Sequence, residues 1–286
     1  MTCVYLNGQY LAPEEAQVSV LDRGFIFGDG VYEVIPSYGG NLFRLKEHLQ
    51  RLDNSLQGIR LQNPHSSNEW QEIFQTVIDR NDGDDQSVYL QITRGASKRD
   101  HAFPGDATPT VFVMSNPLTA PSPELLESGV SAITVEDIRW RYCNIKSIAL
   151  LPNILLRQQA CDEDAHEAIM YRDNIVTEGA ASNLFIVKDN KILTPRSGEH
   201  LLPGITRDLV LELADQHNLP HAEADITLDE LRDADEIWLT SSTKEILAVT
   251  QLDKKVVADG KPGKVWQEMR GYYQSCKKAL QQGQAC

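Results

Sequence analysis

Arg139-Trp140-Arg141-Tyr142-Cys143-Asn144-Ile145-Lys146-Ser147 is the stretch on which the reading of this chain turns. Before it runs Val130-Ser131-Ala132-Ile133-Thr134-Val135-Glu136-Asp137-Ile138, rich in β-branched residues and strand-like. After it, Leu151-Pro152 opens a segment with Ile154, Leu155, Gln158 and Gln159 at helical spacing, and Pro152 suits a first helical turn. A lysine at such a junction has a fixed position, which makes Lys146 the candidate chemical centre. Position alone demands no chemistry, because most lysines are solvated surface cations. The residues elsewhere in the chain decide.

The 286-residue chain is 41% hydrophobic, enough to bury a large core, and its length favours two domains. No window approaches the roughly eighteen consecutive apolar residues of a membrane span. The first residues carry no basic stretch followed by an apolar run, so the expected location is the cytoplasm. Five cysteines (Cys3, Cys143, Cys161, Cys276, Cys286), without close pairing, suit reduced thiols better than a disulfide framework or a zinc site. Cys143, near Lys146, reads as a small buried apolar residue or as a thiol of the site. A formal charge of −14 argues against nucleic acid as a partner, because no excess of cations is available to displace counterions from phosphates. An anionic substrate would need local basic residues.

Val4-Tyr5-Leu6 and Gln9-Tyr10-Leu11 flank Asn7-Gly8, a pair that accepts positive φ, and spell a β-hairpin. A strand at Val31-Tyr32-Glu33-Val34-Ile35 leads through a Gly39-Gly40-Asn41 turn to Leu42-Phe43. Leu45, Leu49, Leu52 and Leu56 then recur at helical spacing, with His48, Arg51 and Ser55 as the adjacent stripe, so Arg51 borders a buried face. A second amphipathic helix carries Trp70, Ile73, Phe74, Val77 and Ile78, and strands follow at 87–93 and 110–115. Three prolines in residues 116–123 mark a semi-rigid connector. The expected division is a smaller α+β domain at 1–118, a linker at 119–123 and a larger domain at 124–286. Within the latter, strands are expected at 167–172, 183–188, 192–194 and 236–240. Helices are expected from Thr206 to about Gln216 and along Trp266, Met269, Tyr273, Cys276 and Leu280.

Three further stretches carry residues suited to chemistry. Thr177-Glu178-Gly179 places a carboxylate on a turn before the apolar strand Leu184-Phe185-Ile186-Val187. It either caps that turn or faces a cationic heterocycle, where an acid beside a pyridine nitrogen makes the ring an electron sink. Leu202-Pro203-Gly204-Ile205-Thr206 runs from a glycine turn into a helix. The free N–H groups of Ile205 and Thr206 make a phosphate-sized anion site unless Thr206 is an ordinary N-cap. Thr240-Ser241-Ser242-Thr243 follows a strand, and its hydroxyls either close on the same anion or form a ligand-free polar loop.

A lysine, an acid, a helix amino terminus, a hydroxyl loop and Arg51 are together the parts needed to hold pyridoxal 5′-phosphate. Over nearly its whole length the chain resembles the fold-type IV, or class IV, pyridoxal-phosphate aminotransferases, and most of all the D-amino-acid transaminases among them. The resemblance is carried by Asp22-Arg23-Gly24 with Phe27-Gly28-Asp29-Gly30-Val31-Tyr32-Glu33, Thr93-Arg94-Gly95, Asp137-Ile138-Arg139-Trp140, Ile145-Lys146-Ser147, Thr177-Glu178-Gly179, Gly204-Ile205-Thr206-Arg207-Asp208 and Thr240-Ser241-Ser242-Thr243.

What the resemblance implies is a two-domain α+β fold with the cofactor in the cleft between domains and no metal. Lys146 would be the Schiff-base lysine and general base, and Glu178 the partner of the pyridine nitrogen. Arg51, Ile205, Thr206, Ser241 and Ser242 would hold the phosphate. Arg99 and His101, in the glycine-flexed loop after the 87–93 strand, would trap the substrate α-carboxylate together with Tyr32. In an extended loop their spacing puts both on one side, although a solvated basic loop has the same composition. The implied reaction passes an amino group between a D-amino acid, such as D-alanine or D-glutamate, and a 2-oxo acid, 2-oxoglutarate or pyruvate, in a homodimer. Branched-chain L-amino-acid transamination or aminodeoxychorismate lyase chemistry on the same fold is the rival reading. A non-catalytic anion-binding module is the rival from another class.

Overall fold

The computed structural model describes residues 1–284, in two compact units. The first comprises Met1–Thr119, Ile145–Leu150 and the chain's end from Ala279; the second comprises Ala120–Asn144 and Leu151–Lys278.

The first unit opens with the hairpin of β1 (Val4–Leu6) and β2 (Gln9–Leu11), closed by Asn7 and Gly8 at φ 48° and 91°. There follow α1 (Arg23–Phe27), β3 (Gly30–Tyr38), β4 (Asn41–Leu42), α2 (Leu45–Gly58), α3 (Ser67–Asp79), β5 (Gln86–Thr93) and β6 (Thr110–Pro117). The strands form one antiparallel sheet in the order β2-β1-β6-β5-β3-β4. The leucine stripe of α2 (Leu49, Leu52, Leu56) and Trp70, Phe74 and Val77 of α3 pack with Val31, Ile35, Val88, Leu90 and Val113 of the sheet. Each such side chain contributes about 1.5–3 kcal/mol on burial. A reciprocal capping box between Ser66 and Glu69 starts α3.

The second unit contains α4 (Pro123–Ser128), β7 (Val130–Glu136), α5 (Leu151–Asp162), β8 (Glu167–Arg172), β9 (Ile175–Gly179), β10 (Asn183–Lys188), β11 (Lys191–Pro195), α6 (Ile205–Gln216), β12 (His221–Ala224), α7 (Leu228–Arg232), β13 (Glu236–Ser241), β14 (Glu245–Leu252), β15 (Lys255–Val256) and α8 (Lys264–Gln281). Its mixed sheet runs β12-β11-β10-β13-β14-β7-β8-β9, with β15 paired to β14. Leu184, Ile186, Ile237, Leu239, Leu247 and Val249 supply its main core.

The structure departs from the sequence reading at several points. β7 ends at Glu136, short of Ile138, and the side chain of Asp137 turns back to accept the N–H and the guanidinium of Arg139. Lys146 therefore does not stand at the end of that strand. Its segment is instead held by backbone pairing to β3: Tyr32 N donates to Lys146 O (3.0 Å), and Ile148 N to Gly30 O (3.1 Å). For this reason it groups with the first unit, although it was expected within residues 124–286. Glu178 lies inside strand β9, not on the turn that follows. Pro123, the last residue of the expected linker, is already the first of α4, capped by Ser122. Cys3, Cys143 and Cys161 are free thiols, as expected, whereas Cys276 is disulfide-bonded, contrary to the expectation; Cys286 lies outside the described residues.

Candidate active site

Two groups of candidate side chains emerge, one in each unit. In the first, the Lys146 N–H donates to the Ser55 hydroxyl of α2 (3.1 Å), which adds a side-chain anchor to the β3 pairing. The amine itself, half-buried, lies 4.1 Å from the centroid of the Tyr32 ring. Tyr89, from the neighbouring strand, flanks that ring at 5.8 Å, and burial pushes its hydroxyl up to about 12.

The next residue of β3 points the other way. Glu33 is fully buried and accepts Arg51 Nε and Nη2, both at 2.8 Å, and His48 Nδ1 at 2.8 Å. Burial opposes the Glu33 charge, but Arg51 and then His48 outweigh it and hold the carboxyl well below the usual range. Burial likewise holds His48 below its ordinary value, and the Arg51 and Lys146 charges act in the same direction. His48, Arg51 and Ser55 thus use the polar stripe of α2 that the helical spacing predicted. Glu33 and His48 had no role assigned from the sequence. The signal available was an acid facing into the sheet opposite a stripe of basic residues.

Arg99 and His101 are exposed, and both lie beside the ring of Phe27. The Arg99 guanidinium lies 5.3 Å from the Phe27 ring centroid and the His101 ring 5.5 Å from it.

In the second unit Glu178 is buried and multiply held. Arg139 Nη1 donates to one carboxylate oxygen; Asn183 Nδ2 and Leu202 N donate to the other, each at 3.0 Å. Burial pushes the Glu178 carboxyl up, against the pull of Arg139 and of the Leu202 amide. Arg139 is itself clamped by Asp137 through Nε (3.0 Å) and Nη2 (2.9 Å). Asp137 and Arg139 stood in the sequence as a matching motif without a role. Asn183 Nδ2 also donates to Leu202 O (2.8 Å), so the acid and the turn entering α6 share one frame.

That turn ends at Gly204, the N-cap, with no side chain capping the helix. Thr206 is therefore not the cap: it lies within the first turn, buried, beside the amide of Ile205. A Cβ at 204 would lie 1.8 Å from Asn183 Oδ1, so only glycine leaves that frame intact. Asn183 also pairs with Thr240 of β13, whose buried hydroxyl has no hydrogen-bond partner. Ser241 Oγ accepts Lys244 N (3.2 Å), and Ser242 lies in the turn that follows. A buried acid, an uncapped helix amino terminus and an orphaned hydroxyl suit a ligand with a basic ring nitrogen and a phosphate. Cys143 takes the quieter of its two readings: its thiol is buried, donates to Trp140 O, and is pushed up to about 11 by that burial. Among the described residues, no cluster of His, Cys, Asp or Glu could hold a metal ion.

Residues 30–252 match the model of amino-transferase class IV. The chain belongs to the class IV aminotransferase family. This class IV aminotransferase is 42% identical over 260 residues to a D-alanine aminotransferase of Bacillus licheniformis, covering 91% of this chain and 92% of that one. To the D-alanine aminotransferase of Staphylococcus aureus (strain MW2) it is 39% identical over 271 residues, 94% of this chain and 96% of that one. In structure it resembles the branched-chain amino acid aminotransferase of Escherichia coli at TM-score 0.91 and 27% identity, covering 99% of this chain and 96% of that chain. A T.th. branched-chain amino acid aminotransferase with pyridoxamine 5′-phosphate gives TM-score 0.91 at 27% identity, with 96% of this chain and 93% of that chain covered.

Proposed function

We propose that this enzyme transfers amino groups from D-amino acids to 2-oxo acids with pyridoxal 5′-phosphate, held by Lys146, Glu178, Arg51, Ile205, Thr206, Ser241 and Ser242. The observation that carries the proposal is the frame in which one side chain, Asn183, joins the buried Glu178 carboxylate to the uncapped turn of α6. Bound there, the cofactor would supply an electron sink for negative charge developing at the substrate Cα. Glu178 sets the strength of that sink, because an ionised acid stabilises a protonated ring nitrogen, and Arg139 and Leu202 favour the ionised form. Lys146 Nζ accepts the proton leaving Cα. Its backbone is fixed on both sides, so the amine swings only through its own side-chain torsions and returns the proton to a defined face.

Arg99 and His101 are proposed to receive the α-carboxylate, with Tyr32 beside Lys146. Relatives near 40% identity named for D-alanine support this handedness over the branched-chain L-specific reading. A second copy of the chain is proposed to cover the stripe of Leu151, Ile154 and Leu155 on α5, which are 66%, 61% and 54% exposed. A cytoplasmic setting is proposed from the sequence, and no helix among the described residues is long and apolar enough to cross a membrane. A half-reaction screen tests the function: holoenzyme mixed with single D- and L-amino acids should lose its visible absorbance with D-alanine and D-glutamate only. Borohydride treatment followed by peptide mapping should tag Lys146; a label on Lys98 or Lys188 would remove its role.

A further inference from the structure

The loop that carries Arg99 and His101 has no regular secondary structure, and its geometry is imposed from outside by residues 21–29. Asp22 and Ala96 form an antiparallel bridge. Arg23 N donates to Gly95 O (2.9 Å) and Ser97 N to Leu21 O (3.2 Å). At Gly95, φ is 92° and a Cβ would lie 1.9 Å from Thr108 O, so the chain bends sharply into the loop at this position. From there the side chain of Arg23 takes over. Its guanidinium is buried, Nε donates to Asp29 Oδ2 (2.7 Å), and Nη1 donates to two loop carbonyls, Asp100 O (2.6 Å) and Ala102 O (3.3 Å). Those carbonyls bracket His101, and the first of them immediately follows Arg99. The Phe27 ring lies 4.8 Å from the Arg23 guanidinium and also touches Arg99 and His101. Asp29 holds Arg94 as well, through Nε at 2.8 Å, and Arg94 stacks 3.7 Å from the Phe103 ring at the far end of the loop.

We infer that Arg23 is a positioning residue for substrate recognition: by clamping the carbonyls of Asp100 and Ala102 it presents Arg99 and His101 as a single carboxylate-binding pair. The inference rests on the carboxylate role proposed above for those two residues. Arginine is required because one carboxylate and two carbonyls lie in different directions, which a planar fork reaches and a single ammonium does not. Freed from the clamp, the loop would keep its charges but lose their registration, so binding would suffer more than turnover.

The experiment is a mutant cycle on the holoenzyme with D-alanine, using Arg23→Lys, Arg99→Ala and the double variant, together with amide hydrogen exchange of residues 96–104. Arg23→Lys should raise KM roughly tenfold, the effect of one charge-assisted hydrogen bond, with a smaller fall in kcat. In the Arg99→Ala background its effect on kcat/KM should be several-fold smaller than in the wild type, because the pair it presents is already broken and only His101 remains to be displaced. Loop amides should exchange faster in Arg23→Lys than in the wild type. Asp29→Asn, which weakens the same clamp from its other end, should give the same pattern and serves if Arg23→Lys fails to fold. Additive effects in the cycle, an unchanged KM, or unchanged loop exchange would overturn the inference. If Arg99→Ala alone leaves KM unchanged, the carboxylate reading falls instead, and faster exchange would still support the clamp.

Discussion

Arg51 and Glu33 meet in a two-pronged ion pair, Nε to Oε1 and Nη2 to Oε2, both at 2.8 Å and both side chains buried. The pair ties α2 to β3 directly beneath the residue, Tyr32, on which the Lys146 amine lies. Breaking a buried pair from one side costs more than the pair contributes, because the remaining charge stays desolvated. Glu33→Gln should therefore lower unfolding stability by about 3 kcal/mol and, if Arg51 holds the cofactor phosphate as proposed, weaken cofactor binding by displacing its guanidinium. Urea unfolding and cofactor titration read the two effects. Equal midpoints for variant and wild type would contradict the structural half.

Glu178→Gln separates electronics from architecture. The amide keeps the size and the acceptor on one side, at the cost of one acceptor lost towards Arg139 or towards Asn183 and Leu202, and Arg139 keeps Asp137 as its counter-ion. Cofactor retention should change little, while the half-reaction slows by about 10²-fold or more. A half-reaction of unchanged rate would show that the carboxylate charge takes no part.

A different group governs acid stability. Burial pushes the His166 imidazole down to about 4, and the Lys244 and Arg157 charges add to the effect. Its folded pKa lies below the unfolded value of about 6.5, so the unfolded chain binds more protons and stability falls as pH drops from 6.5 towards 4. Because the ring is partly exposed, the loss is about 1–2 kcal/mol after screening. The dependence should flatten over this window in His166→Gln, measured by urea unfolding at successive pH values. A slope identical to that of the wild type would place the effect on other groups.

The elements legible in the sequence were those with strong local signals. The α2 and α3 stripes, the Asn7-Gly8 hairpin and the buried face of α8 follow from periodicity and turn chemistry alone. Strand β9 was missed because a five-residue strand containing Thr177 and Glu178 shows no alternation when its residues are buried on both faces. The anchoring of Lys146 was misjudged for a related reason: its partners, Tyr32 and Ser55, are remote in sequence, and backbone pairing to β3 leaves no trace in the lysine's own neighbours. The candidate residues can be named from the sequence, whereas the side chains that hold them in place, Glu33, Arg139 and Asn183, are visible only through contacts.

Gly204 offers a test of the α6 turn. Gly204→Ala drives a methyl into Asn183 Oδ1 and should disturb both the Glu178 contact and the helix amino terminus, at about 1–3 kcal/mol of strain. Pyridoxal phosphate affinity should fall by roughly tenfold or more, since about 1.4 kcal/mol is already a factor of ten. Gly198→Ala, with nothing within 4 Å of the added carbon, is the matched control and should bind normally. Equal affinities for the two variants would dissociate the turn from the cofactor.

Arg99 tests the handedness of the reaction. Its guanidinium and the His101 ring each lie within 5.5 Å of the Phe27 ring centroid, and in the proposed role they receive one carboxylate together. Lys146 is fixed independently, by Ser55 and β3, and therefore addresses one face of whatever is bound. If Arg99 and His101 hold the carboxylate and Lys146 is the base, as proposed, only one enantiomer directs its Cα–H at Nζ. Arg99→Ala should weaken D-alanine and D-glutamate alike, about 10–100-fold in KM, because both lose the same charge-assisted contact. Arg99→Lys should recover little, since a point charge cannot reproduce two parallel N–H donors. Saturation curves for the D-amino-acid half-reaction measure both. The carboxylate role is wrong if Arg99→Ala saturates at the wild-type concentration, and the handedness is wrong if the unaltered enzyme turns over L-alanine as fast as D-alanine.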